Sequence, residues 1–377
     1  MIVIPTINEQ MMTSHKSSAS MQELENKQRI LIIGATGATH LGSSLERAAK
    51  RRGHPVQFLN CQNAFSNGLI QKIIWRTSRL PQYLQNFSES VVTACSEFKP
   101  TILLTTGTAP ITAAALSAIA AHGVLRVNWS TDDPWNPVHK ANWFLGSLSQ
   151  YDLILTPRRA NLLEFANETS AKVEYLPFAY DDDIFPPVTW GADNTDERNG
   201  GDIVFVGGAD MDREPILREI IDAGLRLNLY GGFWDRYAST RPYTRGVADP
   251  AVIRMATQNS KVSLCLVRRA NRDGHVMRSY EIPASGGVPL VEDTSEHREI
   301  FGPEGNAAFY FSSNTELISK VRLLLNDTKL GNAIRKNAYQ RITSAPNRYI
   351  DRLDCILKFA NSIRQGIISS SHISILC

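Results

Sequence analysis

The feature that most constrains this chain is an interruption. Residues 181–201, DDDIFPPVTWGADNTDERNGG, are acidic, rich in Pro and Gly, and lack periodicity. On either side, short apolar runs alternate with amphipathic stretches. Such alternation predicts a parallel sheet covered by helices, and the break between the two series predicts a linker joining two such units. A chain of 377 residues is also too long for one ordinary core. The first series predicts strands at Ile30–Ile33, Val56–Leu59, Ile102–Leu104, Val124–Trp129, Asp152–Leu155 and Val173–Leu176. The second predicts them at Ile203–Val206, Leu225–Tyr230, Val262–Leu266, Val288–Val291 and Ala307–Phe311. The expected division is a mobile tail at 1–28, a first domain at 29–180, a second at 181–345 with its linker at 181–201, a final helix within 346–365, and a tail at 366–377.

Within 67–98 the spacing predicts one or two amphipathic helices. Leu69, Ile70, Ile73 and Ile74 form an apolar stripe that Leu84, Phe87, Val91 and Cys95 continue. Thr101–Leu125 is uncharged but broken by Pro110 and Gly123, so it reads as strand, helix and strand rather than a membrane span. Charge excludes one class of partner: 40 basic against 37 acidic residues, with no basic run, gives no footprint for nucleic acid. The five cysteines are scattered without a CxxC, which indicates neither a disulfide framework nor a zinc site. With no secretory pattern in MIVIPTINEQ, the expected location is the cytoplasm.

Two α/β domains in tandem leave a cleft between their facing strand ends, where ligands of such sheets bind. The stretch Asn271–Glu292 is the strongest candidate for its wall. It carries Asp273 and Glu281 eight positions apart, with His275 and Arg278 between them, and runs through Gly286-Gly287 into a buried strand. If helical, it would separate the carboxylates by roughly 12 Å, a span suited to a sugar joined to a nucleotide through a diphosphate. In the first domain, His40 and the pair Asp132-Asp133 follow strands and so point to the cleft. Either type of side chain can take a proton from an acceptor hydroxyl. Trp129, Trp135 and Trp143 flank the acidic pair and read as core residues.

The order of these parts resembles the GT-B glycosyltransferases, and within them the spore-maturation, CgeB-like group 1 family. Four stretches carry the resemblance over about residues 29–350: Leu31–Gly53; Asn128–Pro137 with Tyr151–Leu155; Tyr175–Asp181; and Asn271–Phe301, the most specific. It implies two Rossmann-like domains, a nucleotide-sugar donor held by the second, and an acceptor held by the first. It also implies the role of the carboxylate pair: Glu281 on the ribose hydroxyls and Asp273 near the sugar, where relatives more often have Glu. Asn271 and His275 join this donor set. The diphosphate falls to Gly207-Gly208 before a helix N-terminus, to Arg213, and to Arg268 and Arg278, whose forked donors match phosphate oxygens. These cations would replace a metal ion, so the expectation is a metal-independent transferase with no cofactor beyond a UDP- or GDP-linked donor. The acceptor is left open among glycan, lipid and small molecule. Peripheral membrane contact is likewise left open, since no basic amphipathic helix stands out in the sequence.

Two other readings compete. Gly34-x-x-Gly37 between strand and helix could open a dinucleotide site of an NAD(P)-dependent short-chain dehydrogenase or epimerase. Against it, His40 stands at the third glycine position and no Tyr-x-x-x-Lys pair occurs. The other is a catalytically inactive nucleotide-sugar-binding protein on the same scaffold.

Overall fold

The computed structural model describes residues 27–138, 140–190 and 201–366. Residues 1–26 of the tail expected at 1–28, residues 367–377 of that expected at 366–377, and linker residues 191–200 lie outside the described residues. The first sheet contains β1 (Ile30–Gly34), β2 (Val56–Asn60), β3 (Ile102–Thr106), β4 (Leu125–Trp129), β5 (Leu153–Thr156) and β6 (Lys172–Tyr175). Its helices are α1 (Leu41–Arg51), α2 (Leu69–Ser78), α3 (Leu84–Phe98), α4 (Ala113–Ala121), the single turn α5 (Asn142–Leu145) and α6 (Leu162–Glu168). Every pairing is parallel, in the order β2-β1-β3-β4-β5-β6. Alternate side chains of each strand enter opposite layers, as the two-residue period requires. Ile30 and Ile32 face α1 on one side, while Leu31 and Ile33 face Phe87, Val91 and Cys95 of α3 on the other.

The second sheet contains β7 (Ile203–Val206), β8 (Leu227–Tyr230), β9 (Thr244–Gly246), β10 (Val262–Cys265), β11 (Pro289–Glu292) and β12 (Phe309–Phe311), ordered β12-β11-β10-β7-β8-β9 and again parallel. Its helices are α7 (Arg213–Asp222), α8 (Pro250–Asn259), α9 (Arg278–Ala284), α10 (Ser295–Phe301), α11 (Asn314–Asn326) and α12 (Thr328–Thr343). The last helix, α13 (Tyr349–Arg364), returns to the first domain and buries Tyr349, Leu353 and Ile356 against β1, β3 and β4. Burying one Leu or Ile side chain is worth about 1.5–3 kcal/mol. An exposed ion pair such as Arg52–Asp354 gives at most about 1 kcal/mol, so apolar packing fixes α13.

The chain therefore crosses between domains twice, and the two crossings are joined. Tyr180 donates its N–H to Asn347 O (3.0 Å), and Tyr349 donates to Tyr180 O (3.0 Å). The buried Arg352 guanidinium donates to the carbonyls of Pro177 (2.9 Å), Phe178 (3.1 Å) and Pro346 (2.7 Å).

Three local expectations are corrected. Strand β9 was not anticipated, because three part-exposed residues at a sheet edge carry no apolar run. The stripe on α2 is not one buried face: Leu69 and Ile73 point to solvent, and the helix instead packs through Gln71 and Trp75. Asp273 and Glu281 do not share a helix, because Arg272 is left-handed (φ 53°) and α9 begins only at Arg278.

Candidate functional site

Each sheet changes winding direction once, between β1 and β3 in the first and between β7 and β10 in the second. At such points the loops diverge beyond the carboxyl ends and leave a crevice. The two crevices face each other and enclose a cavity of about 300 Å³. The second domain supplies Val206, Gly207 and Gly208 after β7, and Leu264, Cys265 and Leu266 at β10. The first supplies Thr39, Thr131, Asp132, Arg158 and Phe178. Arg268, Asn271, Asp273, Val276 and Met277 of the following loop, with Arg278 and Glu281 of α9, complete the wall.

The glycine turn is imposed by close packing. A Cβ on Gly231, already at φ +133°, would stand 2.2 Å from Gly207 O. The β8 loop thus presses on the β7 loop and shapes the cavity floor. Arg213 opens α7 and is buried beneath this turn, donating to Gly208 O and Leu266 O (both 3.3 Å). Burial lowers its pKa, and Asp210 at 3.5 Å opposes that.

Glu281 lines the cavity and pairs with Arg278 one turn earlier. Burial raises its pKa, and the Arg278 charge pulls it back. Asp273 lies in the same wall but is engaged across the cleft by Arg158, an ion pair whose side chains are only 2% and 4% exposed. Burial raises the Asp273 pKa, with Arg158 again opposing. Arg158 also donates to Thr131 O (2.5 Å), while its Nη1 is buried without a hydrogen-bond partner among the described residues. Four guanidinium groups, those of Arg158, Arg213, Arg268 and Arg278, therefore share one small cavity, which suits a polyanion.

The remaining anticipated residues divide into two groups. Asp132 reaches the cavity, accepts from Asn271 Nδ2 (3.3 Å) and lies 3.7 Å from Arg268. Asn271 lines the cavity and accepts from Asn136 Nδ2 (2.8 Å) in the first domain. By contrast, the structure does not bring His40 or His275 there. His40 is an exposed N-cap residue whose ring covers Gly37. His275 is buried at the hinge. Its Nε2 accepts from Phe178 N–H (3.1 Å), leaving Nδ1–H to donate to Glu296, so no ring nitrogen remains for a sugar. Asp133 is also committed, to Arg272 (2.7 Å), Asn161 (2.9 Å) and Trp135 N–H (3.0 Å). Trp129, Trp135 and Trp143 pack against Tyr349, Phe165 and Phe144.

Sequence reasoning missed Arg158. Its one available signal was a basic residue two positions after the strand Leu153–Thr156, hence at a carboxyl end. A wider depression of about 720 Å³ lies at the hinge, among Arg159, Glu296, Arg341 and Arg352. There Arg159 already pairs with Glu299 (2.6 Å), Arg341 bonds the carbonyls of Glu299 and Ile300, and Arg352 bonds those of the crossing strands. With its cations so committed, it is the weaker candidate for a charged ligand.

A family model described as glycosyl transferase-like matches residues 213–358. No functionally curated protein matches the sequence at a significant level. Among solved structures, the sucrose-phosphate synthase of Thermosynechococcus elongatus aligns at TM-score 0.65 and 13% identity, covering 90% of this chain and 100% of that one. A glycosyltransferase of Rickettsia africae aligns at 0.62 and 12%, covering 90% and 100%. Anabaena HepE in complex with UDP aligns at 0.61 and 14%, covering 89% and 100%. The two six-stranded parallel sheets are the GT-B fold of these structures. No helix among the described residues is long and apolar enough to cross a membrane.

Proposed function

We propose that the protein is a glycosyltransferase that moves a sugar from a nucleoside-diphosphate donor to an acceptor hydroxyl without a metal ion. The observation that carries this reading is the convergence of four guanidinium groups and the Glu281 carboxylate on one cavity at both switch points. UDP is the favoured nucleotide, because a structural neighbour holds it. Glu281 accepts hydrogen bonds from the ribose hydroxyls, as a carboxylate suits a cis-diol. Arg213, Arg268 and Arg278 neutralise the diphosphate, and the Gly207-Gly208 turn lets it approach the backbone. As the bond from the anomeric carbon to the diphosphate oxygen breaks, negative charge grows on the leaving group. Fixed cations already in place around the leaving group stabilise that charge most when it is fully developed. The acceptor oxygen bonds to the anomeric carbon and gives its proton to Asp132, which, unlike His40, lines the cavity.

The test is isothermal titration of the full chain with UDP, GDP and NAD, repeated with Glu281→Ala. Tight binding of UDP or GDP that the substitution weakens at least tenfold supports the reading. Binding of NAD alone refutes it. Release of nucleoside diphosphate on adding acceptor to a UDP-sugar then separates a transferase from an inactive binder.

A further inference from the structure

One face of α2 turns outward as a unit. Leu69, Lys72, Ile73 and Arg76 follow the i, i+3, i+4, i+7 spacing of a single helical face and are all exposed, Leu69 by 77% and Ile73 by 64%. Leu80 and Tyr83, in the connection that follows the helix, are also exposed, each by 41%. The inner face is fixed. Gln71 is buried, donates to Leu80 O (3.1 Å) and accepts from Gln82 N–H (2.7 Å), while Trp75 packs edge-on against Phe65. The exposed face is therefore held outward rather than loosely placed.

Its charge is one-sided. Between Glu46 and Glu89 the sequence contains no Asp or Glu. Neither Lys72 nor Arg76 joins an ion pair among the described residues, whereas Arg47, Arg51 and Arg52 of α1 are paired with acids from elsewhere in the chain. Exposed aliphatic side chains beside unpaired cations have the chemistry of a helix lying in the headgroup layer of an anionic bilayer. A second copy of the chain fits less well. A two-fold contact through this face would bring Lys72 of each copy near Arg76 of the other, and like charges so placed repel.

We propose that this face of α2 docks the protein on the surface of an anionic membrane. The chain reaches α2 from the carboxyl end of β2, the end of the sheet that faces the cavity. Docking there would hold the first domain's side of the cleft against the bilayer. Resting on the transferase reading, this makes the acceptor hydroxyl one carried by a lipid headgroup.

The experiment is co-sedimentation of the full chain with vesicles of phosphatidylcholine alone, or with 30 mol% phosphatidylglycerol (about a third of the headgroups anionic). Wild type should bind the anionic vesicles and be released by about 0.5 M salt, since exposed charges are screened over a few ångströms there. Leu69→Gln/Ile73→Gln and, separately, Lys72→Glu/Arg76→Glu should each weaken the partition at least tenfold. Thermal melts and UDP titration should be unchanged for both, because none of these residues lines the cavity. The proposal is overturned if wild type stays in the supernatant, if both variants bind as wild type does, or if the apolar face is already covered in a dimer that Leu69→Gln/Ile73→Gln dissolves. Loss of vesicle binding with UDP affinity intact, or the reverse, separates failure of this inference from failure of the transferase reading.

Discussion

Removing Arg158 should leave a carboxylate stranded in the cleft wall, and the cost should depend on pH. Asp273 is 4% exposed as a side chain, and its only ion-pair partner among the described residues is Arg158 across the cleft. In Arg158→Ala the Asp273 carboxyl either stays charged in a buried site or takes up a proton. Protonation sets the ceiling on the cost. At about 1.36 kcal/mol per pH unit above an ordinary Asp pKa of about 3.9, that ceiling is about 4 kcal/mol at pH 7 and about 1.5 kcal/mol at pH 5. The first figure agrees with the roughly 3–5 kcal/mol lost when one member of a buried pair is removed. The sign follows from linkage: burial raises the folded-state pKa of Asp273, so the stability it contributes is present below its unfolded pKa and is lost as pH rises through the folded one. The reference is Arg158→Ala/Asp273→Asn, which has lost the same bond to Thr131 O but keeps no charge. Urea unfolding of both variants at the two pH values, followed by circular dichroism, should show the single variant less stable at both, with a gap of at most about 1.5 kcal/mol at pH 5 that widens toward at most about 4 kcal/mol at pH 7. A gap that is equal at both pH values, or absent, would refute the reasoning.

Glu281→Gln keeps the shape but loses the charge that holds Arg278, and should raise the Kd for UDP roughly tenfold, equivalent to about 1.4 kcal/mol, as read by calorimetry. Gly231→Ala puts a methyl where only 2.2 Å separates it from Gly207 O at a left-handed φ; it should lower both the melting temperature and nucleotide affinity, and unchanged affinity would show that the β7 turn does not shape the floor. His297, buried between Ser279 Oγ (2.8 Å) and Glu292 O (2.7 Å), has its pKa pushed down to about 4 by burial. Its contribution to stability should therefore fade as pH falls from about 6.5 toward 4, and His297→Gln should flatten that part of the stability profile. In Arg352→Met, three carbonyls of the two crossing segments lose their donor, so hydrogen exchange at 177–180 and 346–349 should quicken while the sheets stay protected.

The sheets were legible because parallel strands buried on both faces read as uninterrupted apolar runs. Ile30–Ile33 and Val262–Leu266 have no other explanation. β9 was not, since Thr244-Arg-Gly246 is held by its neighbour β8 rather than by its own composition. Periodicity placed α2 but not its orientation: a stripe such as Leu69 and Ile73 says that a face is apolar, not that something covers it. The wall of the site was partly readable. Glu281, Arg213, Arg278 and Asp132 reach the cavity because strand ends and helix starts are local features. Arg158 and the engagement of Asp273 were hidden, because that contact joins residues 115 positions apart (273 − 158) through a domain arrangement that no local pattern encodes. His275 misled for a similar reason: its neighbours in sequence belong to the cavity, its neighbours in space to the hinge.

The loop from Val267 to Met277 serves two purposes with one set of residues. Its base is tied down by Glu292, which accepts from Val267 N–H (2.6 Å) and from Arg269 (2.7 Å). From there it contributes Arg268, Asn271 and Asp273 to the cavity wall. The same segment also holds the first domain, through Asn271 to Asn136, Arg272 to Asp133 and Glu164, and Asp273 to Arg158. Any movement that parts the domains on this side must break those contacts together and take apart the wall at the same time. A ligand that needs the assembled wall consequently binds the closed arrangement better than an open one. By linkage it stabilises closure by that difference in affinity and by no more. Single substitutions in the loop should therefore alter nucleotide affinity even where the side chain never touches the nucleotide. Arg272, which faces only the first domain's acids, is the residue that isolates this effect: Arg272→Ala should weaken UDP binding by a few-fold while leaving the Glu281 and Arg213 contacts in place. Unchanged affinity in that variant would mean that wall and closure are independent.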